Sequence, residues 1–401
     1  MRRSSIPNPT SVRHRQGWGF QAPLRAPLFM VLLFSLVACT QPHPVEAQSE
    51  GVHTSQEHDF RVVTVAEGLE HPWGLAFLPN GDLLVTERPG RLRMVRDGTL
   101  LDAPLTGVPQ VEPHGQGGLL DISLHPDFAS NEYVYLTYSR TAENGVTTAL
   151  SRGVLEGTNL TGVEELFVAR TTSTSGAHFG SRLVWDGDGH LFMSIGDRGI
   201  MDEAQDPGNH HGTILRLTAE GDPAPGNPFL GRSDALPEIF AYGIRSPQGM
   251  ALHPETGELW ENEHGPRGGD EINIIRAGRN YGWPVISYGI NYDGSVLTEL
   301  THAPGMEQPL LHWTPSIAVS GMAFYTGDPF PAWKGNVFNG ALAGQHLRRV
   351  VFQGNIPVHQ ETLLGELGVR IRDVRQGPDG FIYLLTDHRE GAILRLEPTG
   401  E

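Results

Sequence analysis

Four short stretches of the chain carry residue types that do chemistry in combination. His178 stands in Ser175-Gly176-Ala177-His178-Phe179-Gly180. A neutral imidazole with an ordinary pKa near ~6.5 can take a proton at physiological pH, as a general base must. The chain holds 18 histidines, most of them structural, so His178 stands out only through its surroundings. Arg245 lies in Tyr242-Gly243-Ile244-Arg245-Ser246-Pro247-Gln248-Gly249, where glycines and a proline fix the backbone around one guanidinium. Such a group clamps a carboxylate through two parallel hydrogen bonds; the plainer role is a rim arginine paired with an acidic neighbour. Asn262 to Glu271 reads Asn-Glu-His-Gly-Pro-Arg-Gly-Gly-Asp-Glu. A glycine-rich loop exposes carbonyls beside flanking carboxylates, which together suit a hard cation such as calcium. The spacing is not that of an EF-hand, and Asp186-Gly187-Asp188-Gly189, which resembles part of one, lacks the closing glutamate and reads as a hairpin turn. In Gly368-Val369-Arg370-Ile371-Arg372-Asp373, alternate residues of an extended segment place two guanidinium groups on one face. Two adjacent like charges call for an anion between them; otherwise this is a solvated edge strand.

The formal net charge is −17. That repels phosphate backbones and excludes nucleic acid as the partner. A strongly anionic ligand therefore needs a local cationic patch.

The elements that must position these groups are strands. With 50 Gly and 30 Pro among 401 residues, the chain is heavily punctuated but below the composition of low-complexity segments. No stretch beyond Phe60 sustains a 3.6-residue apolar period for three turns, whereas short alternating or apolar runs recur between Gly, Pro, Asn and Asp clusters. The runs repeat as strand, turn, strand, turn, strand over 74–95, 118–139, 181–217, 248–275, 321–352 and 371–396. Six copies predict an all-β fold, a six-bladed β-propeller with four-stranded blades around a central channel. Phe60 to Val65, ahead of the first copy, is expected to pair with the last blade and close the ring. Long insertions follow the third, fourth and fifth copies, on a rim where loops carry chemistry.

The N-terminus has Arg2, Arg3, Arg13, Arg15 and Arg25 before an uncharged run from Leu28 to Ala38, shorter than the roughly 18 residues of a membrane span. It reads as a signal peptide. Leu36-Val37-Ala38-Cys39 is similar to the lipobox of bacterial lipoproteins, and Cys39 is the only cysteine, so a lipid thioether accounts for it. The alternative is cleavage after Ala47 to release a soluble periplasmic protein. The expected organisation is a signal peptide with lipobox over 1–39, a flexible tether over 40–59 and the propeller over 60–398, exported to the periplasmic face of a bacterial membrane.

His178, Arg245 to Gln248, Gly265-Pro266 with Asp270 to Asn273, Asn280-Tyr281-Gly282-Trp283-Pro284 and Arg370 to Asp373 together resemble the soluble aldose sugar dehydrogenases of the glucose/sorbosone dehydrogenase family, from about Phe60 to Pro398. The resemblance implies a quinoprotein that oxidises the C1 hydroxyl of an aldose to the lactone by hydride transfer to calcium-bound pyrroloquinoline quinone. It implies His178 as general base, and Gly265 and Pro266 as backbone ligands of the calcium that touches the quinone. Arg245, Ser246, Arg370, Arg372 and Gln116 fall at cofactor-binding positions, and Glu271 and Tyr281 at ligands of a second, structural calcium. Tyr292 and Trp313 match contacts on the cofactor or sugar face. Three positions depart from the pattern: Ser246 where Asn is common, Ala177 in place of an acidic neighbour of the base, and Ala341-Leu342-Ala343 without the Lys that often reaches the quinone.

Two other readings compete. A calcium-dependent sugar lactonase on a six-bladed propeller needs a side-chain carboxylate cage on the axis and has no use for Arg370 and Arg372. A non-catalytic propeller binding through its rim has no use for His178. The partners expected are a sugar and an electron acceptor of unspecified kind, with no nucleic acid, membrane contact only through a lipid at Cys39, and a homodimer left open. Labelled fatty acid fed to cells is expected to mark the wild type and not Cys39→Ala; equal labelling of both contradicts the anchor.

Overall fold

The computed structural model describes residues 51–400. The expected signal peptide, Cys39 and the expected tether up to residue 50 lie outside the described residues. The described residues form six sheets of antiparallel strands. Blade one runs from strand Pro72–Phe77 to Thr99–Leu100, blade two from Leu119–Leu124 to Asn159–Val168, and blade three from Leu183–Trp185 to Ile239–Tyr242. Blade four runs from Pro247–Leu252 to Leu311–Trp313, and blade five from Val319–Phe324 to Ile356–Leu363. Blade six comprises Ile371–Gln376, Ile382–Thr386 and Gly391–Pro398. Its fourth strand is Asp59–Leu69, from the other end of the chain, paired from Phe60 opposite Pro398 to Leu69 opposite Gly391. This is the ring closure expected of Phe60 to Val65, lengthened at both ends. His53–Thr54 adds a further short strand on Asp59–Leu69, so sheet structure begins within the stretch expected to be tether.

The first strand of each blade lies innermost, and these six strands touch one another in a closed circuit. Apolar clusters fill every junction between neighbouring blades, from Leu84, Leu119 and Val134 between blades one and two to Leu75, Val85 and Leu385 between six and one. A blade has two faces to cover and only its neighbours to cover them, which makes the ring one cooperative unit. Close approach of the inner strands requires glycine at particular points. A Cβ on Gly74 would lie 2.7 Å from Asp121 Oδ1, and one on Gly249 2.6 Å from the Ser320 carbonyl.

Two features of the inner strands build the site. Side chains alternate along a strand, and the second residues of four inner strands, Trp73, Leu120, Gln248 and Arg372, line one pocket on the axis. Pairing register also shifts within the inner strands of blades one, two, four, five and six. Such bulges re-aim side chains and are common beside active sites. Blade three has Arg182 immediately before its inner strand, buried with its guanidinium against Asp121, Asp373 and the Gln248 and Arg372 carbonyls.

Candidate active site

His178 sits in the segment entering blade three, and its backbone takes a left-handed conformation, φ +55°, that a non-glycine residue adopts only when held there. Several contacts hold it. Gln116 Oε1 accepts the His178 N–H at 2.9 Å, and the Gln116 N–H donates to the Gly176 carbonyl at 2.7 Å. The buried Arg198 guanidinium donates to the carbonyls of Ala177 and Ser175 and lies over the Phe179 ring. Burial brings the Arg198 pKa down to about 10, so it stays charged at neutral pH.

The His178 imidazole is 14% exposed, and its Nδ1 lies 2.6 Å from Oδ1 of Asp197, which is 1% exposed. Asp197 Oδ1 also accepts the Gly199 N–H at 2.8 Å, and Oδ2 accepts Trp283 Nε1–H at 2.8 Å. Burial alone would raise the Asp197 pKa; the hydrogen bond and charge of His178, the Gly199 N–H and the Arg245 charge outweigh it and hold the pKa below the ordinary value. An ionised carboxylate can only accept, so the proton between the two residues resides on Nδ1. Nε2 is thereby left as the acceptor, which is the orienting role a carboxylate plays toward a histidine base.

Beside Phe179 and Gly180 opens a pocket lined by Gln116, Gln248, His264, Arg88, Arg370, Arg372 and Asp387, among others. Arg370 Nη2 and Arg372 Nη2 both reach Asp387 Oδ2, at 3.1 and 3.3 Å, and Arg372 Nη1 donates to Gln248 Oε1 at 3.1 Å. Asp387 is the one carboxylate on this wall against three guanidinium groups, so the pocket carries a surplus of positive charge suited to an anion. His264 Nε2 donates to the Val319 carbonyl at 2.5 Å. Burial, then the charges of Arg245 and Arg372, lower its pKa to about 3, so it stays neutral.

Arg245 is buried beside this pocket rather than on its wall. Its Nη1 donates to the His264 and Gly265 carbonyls at 3.0 and 2.9 Å, and its guanidinium packs on Trp283. It props the Gly265-Pro266 turn from behind. Ser246 is buried beneath, its Oγ accepting from Gln248 Nε2 at 3.1 Å, and so steadies the amide that meets Arg372. Of Ala341-Leu342-Ala343, the stretch without the expected Lys, Leu342 lines the pocket. Neither Tyr292 nor Trp313 is brought to it. Tyr292 is 71% exposed on the insertion of blade four, and Trp313 is buried between blades four and five with Nε1–H on Gln360.

A second cluster lies on the central strands of blade four. Glu261 faces Asn273 and Glu263 faces Glu271 across the pair, which gathers three carboxylates and an amide on one face. Desolvation raises all three carboxyl pKa values, that of Glu263 to about 7; the Glu263 charge adds to the rise at Glu261 and Glu271, and the Asp197 charge adds to it at Glu263. Glu261 Oε1 and Asn273 Oδ1 are buried without a hydrogen-bond partner. Uncompensated buried carboxylates are costly, and an all-oxygen donor set with free lone pairs fits a hard divalent cation. The Tyr281 hydroxyl donates to the Ile274 carbonyl at 2.6 Å and accepts the Arg276 N–H at 2.8 Å. Any cation contact of Tyr281 therefore falls to its backbone carbonyl. Asp186, Asp188 and His190 also bring ligand atoms within 4.8 Å of one another, but Arg216 occupies that space, 2.7 Å from Asp186 and 2.9 Å from His190. The stretch is the hairpin turn expected.

Residues 69–395 match the family model for glucose/sorbosone dehydrogenase. The chain belongs to this family. It is similar to aldose sugar dehydrogenase YliI of Escherichia coli, 46% identical over 343 residues that make up 84% of this chain and 92% of that protein. The crystal structure of the soluble aldose sugar dehydrogenase of Escherichia coli in the apo form superposes with a TM-score of 0.82, at 44% identity over 84% of this chain and 99% of that one. The PQQ-bound form of aldose sugar dehydrogenase from Streptomyces coelicolor superposes with a TM-score of 0.69, at 30% identity over 84% of this chain and 98% of that one.

In this member of the glucose/sorbosone dehydrogenase family, the residues missed in the sequence are Asp197, Arg88, Asp387 and Glu261; Glu263, His264 and Asn273 fall within motifs singled out there but without roles of their own. Ala177 leaves no acid next to His178 in the chain, and Asp197 supplies one from the hairpin of blade three. For Glu261, Glu263, Glu271 and Asn273, alternation across two adjacent strands was the available signal. In cation-free protein, folded Glu263 keeps its proton up to about pH 7, while the unfolded chain releases it near the ordinary value. The folded state binds more protons in that window, so stability falls as pH rises from about 4.5 to 7. Urea unfolding with a chelator is expected to show that fall and calcium to flatten it; a rise with pH, or indifference to calcium, contradicts the cation site.

Proposed function

We propose that this protein oxidises the anomeric hydroxyl of aldoses to the lactone, with pyrroloquinoline quinone and calcium as cofactors and His178 as general base. The observation that carries the reading is the His178–Asp197 pair set beside a pocket with three guanidinium groups and one carboxylate. Similarity to a PQQ-bound aldose sugar dehydrogenase supports the identity of the anion.

His178 Nε2 accepts the proton of the C1 hydroxyl, and the imidazolium so formed is stabilised by ionised Asp197. When bound, the quinone supplies the two-electron acceptor for the C1 hydride and calcium the Lewis acid that polarises it. Arg88, Arg370 and Arg372 would hold its carboxylates, with Gln116 and the Gln248 amide alongside. The Gly265 and Pro266 carbonyls would take the adjacent calcium, braced by Arg245. Glu271, joined by Glu261, Glu263 and the Tyr281 carbonyl, would take the structural calcium. The lactonase alternative requires a carboxylate cage on the axis, and the pocket's single carboxylate, Asp387, is engaged by two arginines. Export through the N-terminal signal and anchoring at Cys39 would place the enzyme where free sugars and cofactor reach it.

Purified protein mixed with pyrroloquinoline quinone, calcium and a panel of aldoses is expected to reduce an artificial dye acceptor. No dye reduction with any sugar, together with no cofactor binding by calorimetry, contradicts the proposal.

A further inference from the structure

The Asn280 to Pro284 segment supplies a side chain that touches the partner of the base. Trp283 is 7% exposed, and its Nε1–H donates to Asp197 Oδ2 at 2.8 Å. Oδ1 of the same carboxylate takes His178 Nδ1 at 2.6 Å and the Gly199 N–H at 2.8 Å. The donors are thus divided between the two oxygens, and the indole holds the one that faces away from the histidine. An indole N–H can only donate, so it has no alternative use for that oxygen.

The indole is itself fixed. Its backbone N–H donates to the Gly243 carbonyl at 2.8 Å, and its carbonyl accepts Gln205 Nε2 at 2.7 Å. Arg245 lies over the ring, 5.2 Å from the centroid, and the Arg245 carbonyl accepts the Asp197 N–H at 2.8 Å. One side chain therefore joins the carboxylate behind the base to the arginine behind the Gly265 turn.

We propose that Trp283 is a positioning residue for His178, acting through Asp197: its N–H pins the carboxylate so that Oδ1 faces Nδ1 and Nε2 stays free and aimed at the substrate. The inference rests on His178 being the base. The charged and titratable groups that face Asp197 are His178, Arg198, His211, Arg245 and Glu263; His264 adds its influence on the His178 side. Replacing the indole by phenyl leaves all of them in place.

The test is Trp283→Phe in the wild type and in Asp197→Asn, each reconstituted with quinone and calcium. Trp283→Phe is expected to lower kcat about 10-fold, the size typical of groups that orient a ligand from behind, with KM and quinone affinity unchanged. In the Asp197→Asn background it is expected to lower kcat no further. In cofactor-free protein, the low-field proton resonance of His178 Nδ1–H, assigned by its loss in His178→Ala, is expected to move upfield in Trp283→Phe. Should Trp283→Phe fail to fold, benzothienylalanine at position 283 replaces N–H by sulfur at nearly the same volume. An unchanged kcat and resonance, or an equal loss in both backgrounds, overturns the proposal. If the wild type shows no turnover, the dehydrogenase reading fails, and the resonance still decides whether Trp283 positions His178.

Discussion

Arg182 is the point on which the inner strands converge. Its guanidinium is buried at the axis, 2.9 Å from Asp373 of blade six and 3.3 Å from Asp121 of blade two. It donates to the Gln248 carbonyl of blade four at 2.6 Å and lies 4.2 Å from the Trp73 ring of blade one. Arg375 closes the set with 2.7 and 2.8 Å contacts to the same two aspartates. Removing one member of such a buried network strands the rest, at a cost of roughly 3–5 kcal/mol. The network ties five blades together at the axis and holds the backbones of Gln248 and Arg372, two residues whose side chains line the pocket.

What stands at the axis follows from charge. The chain repels anions as a whole, and the axial pocket reverses the sign locally with Arg88, Arg370 and Arg372. Asp387 keeps two of these guanidinium groups from repelling each other, and their charges hold its pKa well below the ordinary value against the opposing effect of burial. The base sits at the edge of this field with its own counter-charge, Asp197. On blade four the imbalance has the opposite sign: Glu261 and Glu263 are buried, Glu271 is half-buried, and Glu261 Oε1 and the amide oxygen Asn273 Oδ1 lack partners, a donor set that suits a cation. The anion-suited pocket and this acidic cluster lie on adjoining elements, linked by Arg245, whose backbone N–H donates to Glu263 and whose guanidinium donates to the Gly265 carbonyl.

Much of this was legible in the chain. The six repeats were visible because turns and strand alternation are local properties, and even the closing strand could be placed because an unpaired strand ahead of six repeats has one edge to fill. Gln116, Arg370 and Arg372 reached the pocket from motifs that flank inner strands. Asp197 did not announce itself, because it meets His178 only through a left-handed histidine that Arg198 and Gln116 hold in place. Asp387 and Arg88 each directly follow the second strand of a blade and are held by N–H bonds to the Arg370 and His71 carbonyls, a placement that no periodicity reveals. Tyr292 and Trp313 lie on the long insertion of blade four and the strand that follows it, whose course the sequence pattern does not dictate.

In the proposed reaction His178 takes the sugar proton as the C1 hydride departs. Stopped-flow reduction of the bound quinone by aldose deuterated at C1 tests it directly, in the wild type and in His178→Ala. A primary isotope effect is expected in the wild type, and in His178→Ala a reduction rate lower by about 10²–10⁴-fold with quinone binding intact. A variant that reduces the quinone as fast as the wild type would place the base elsewhere.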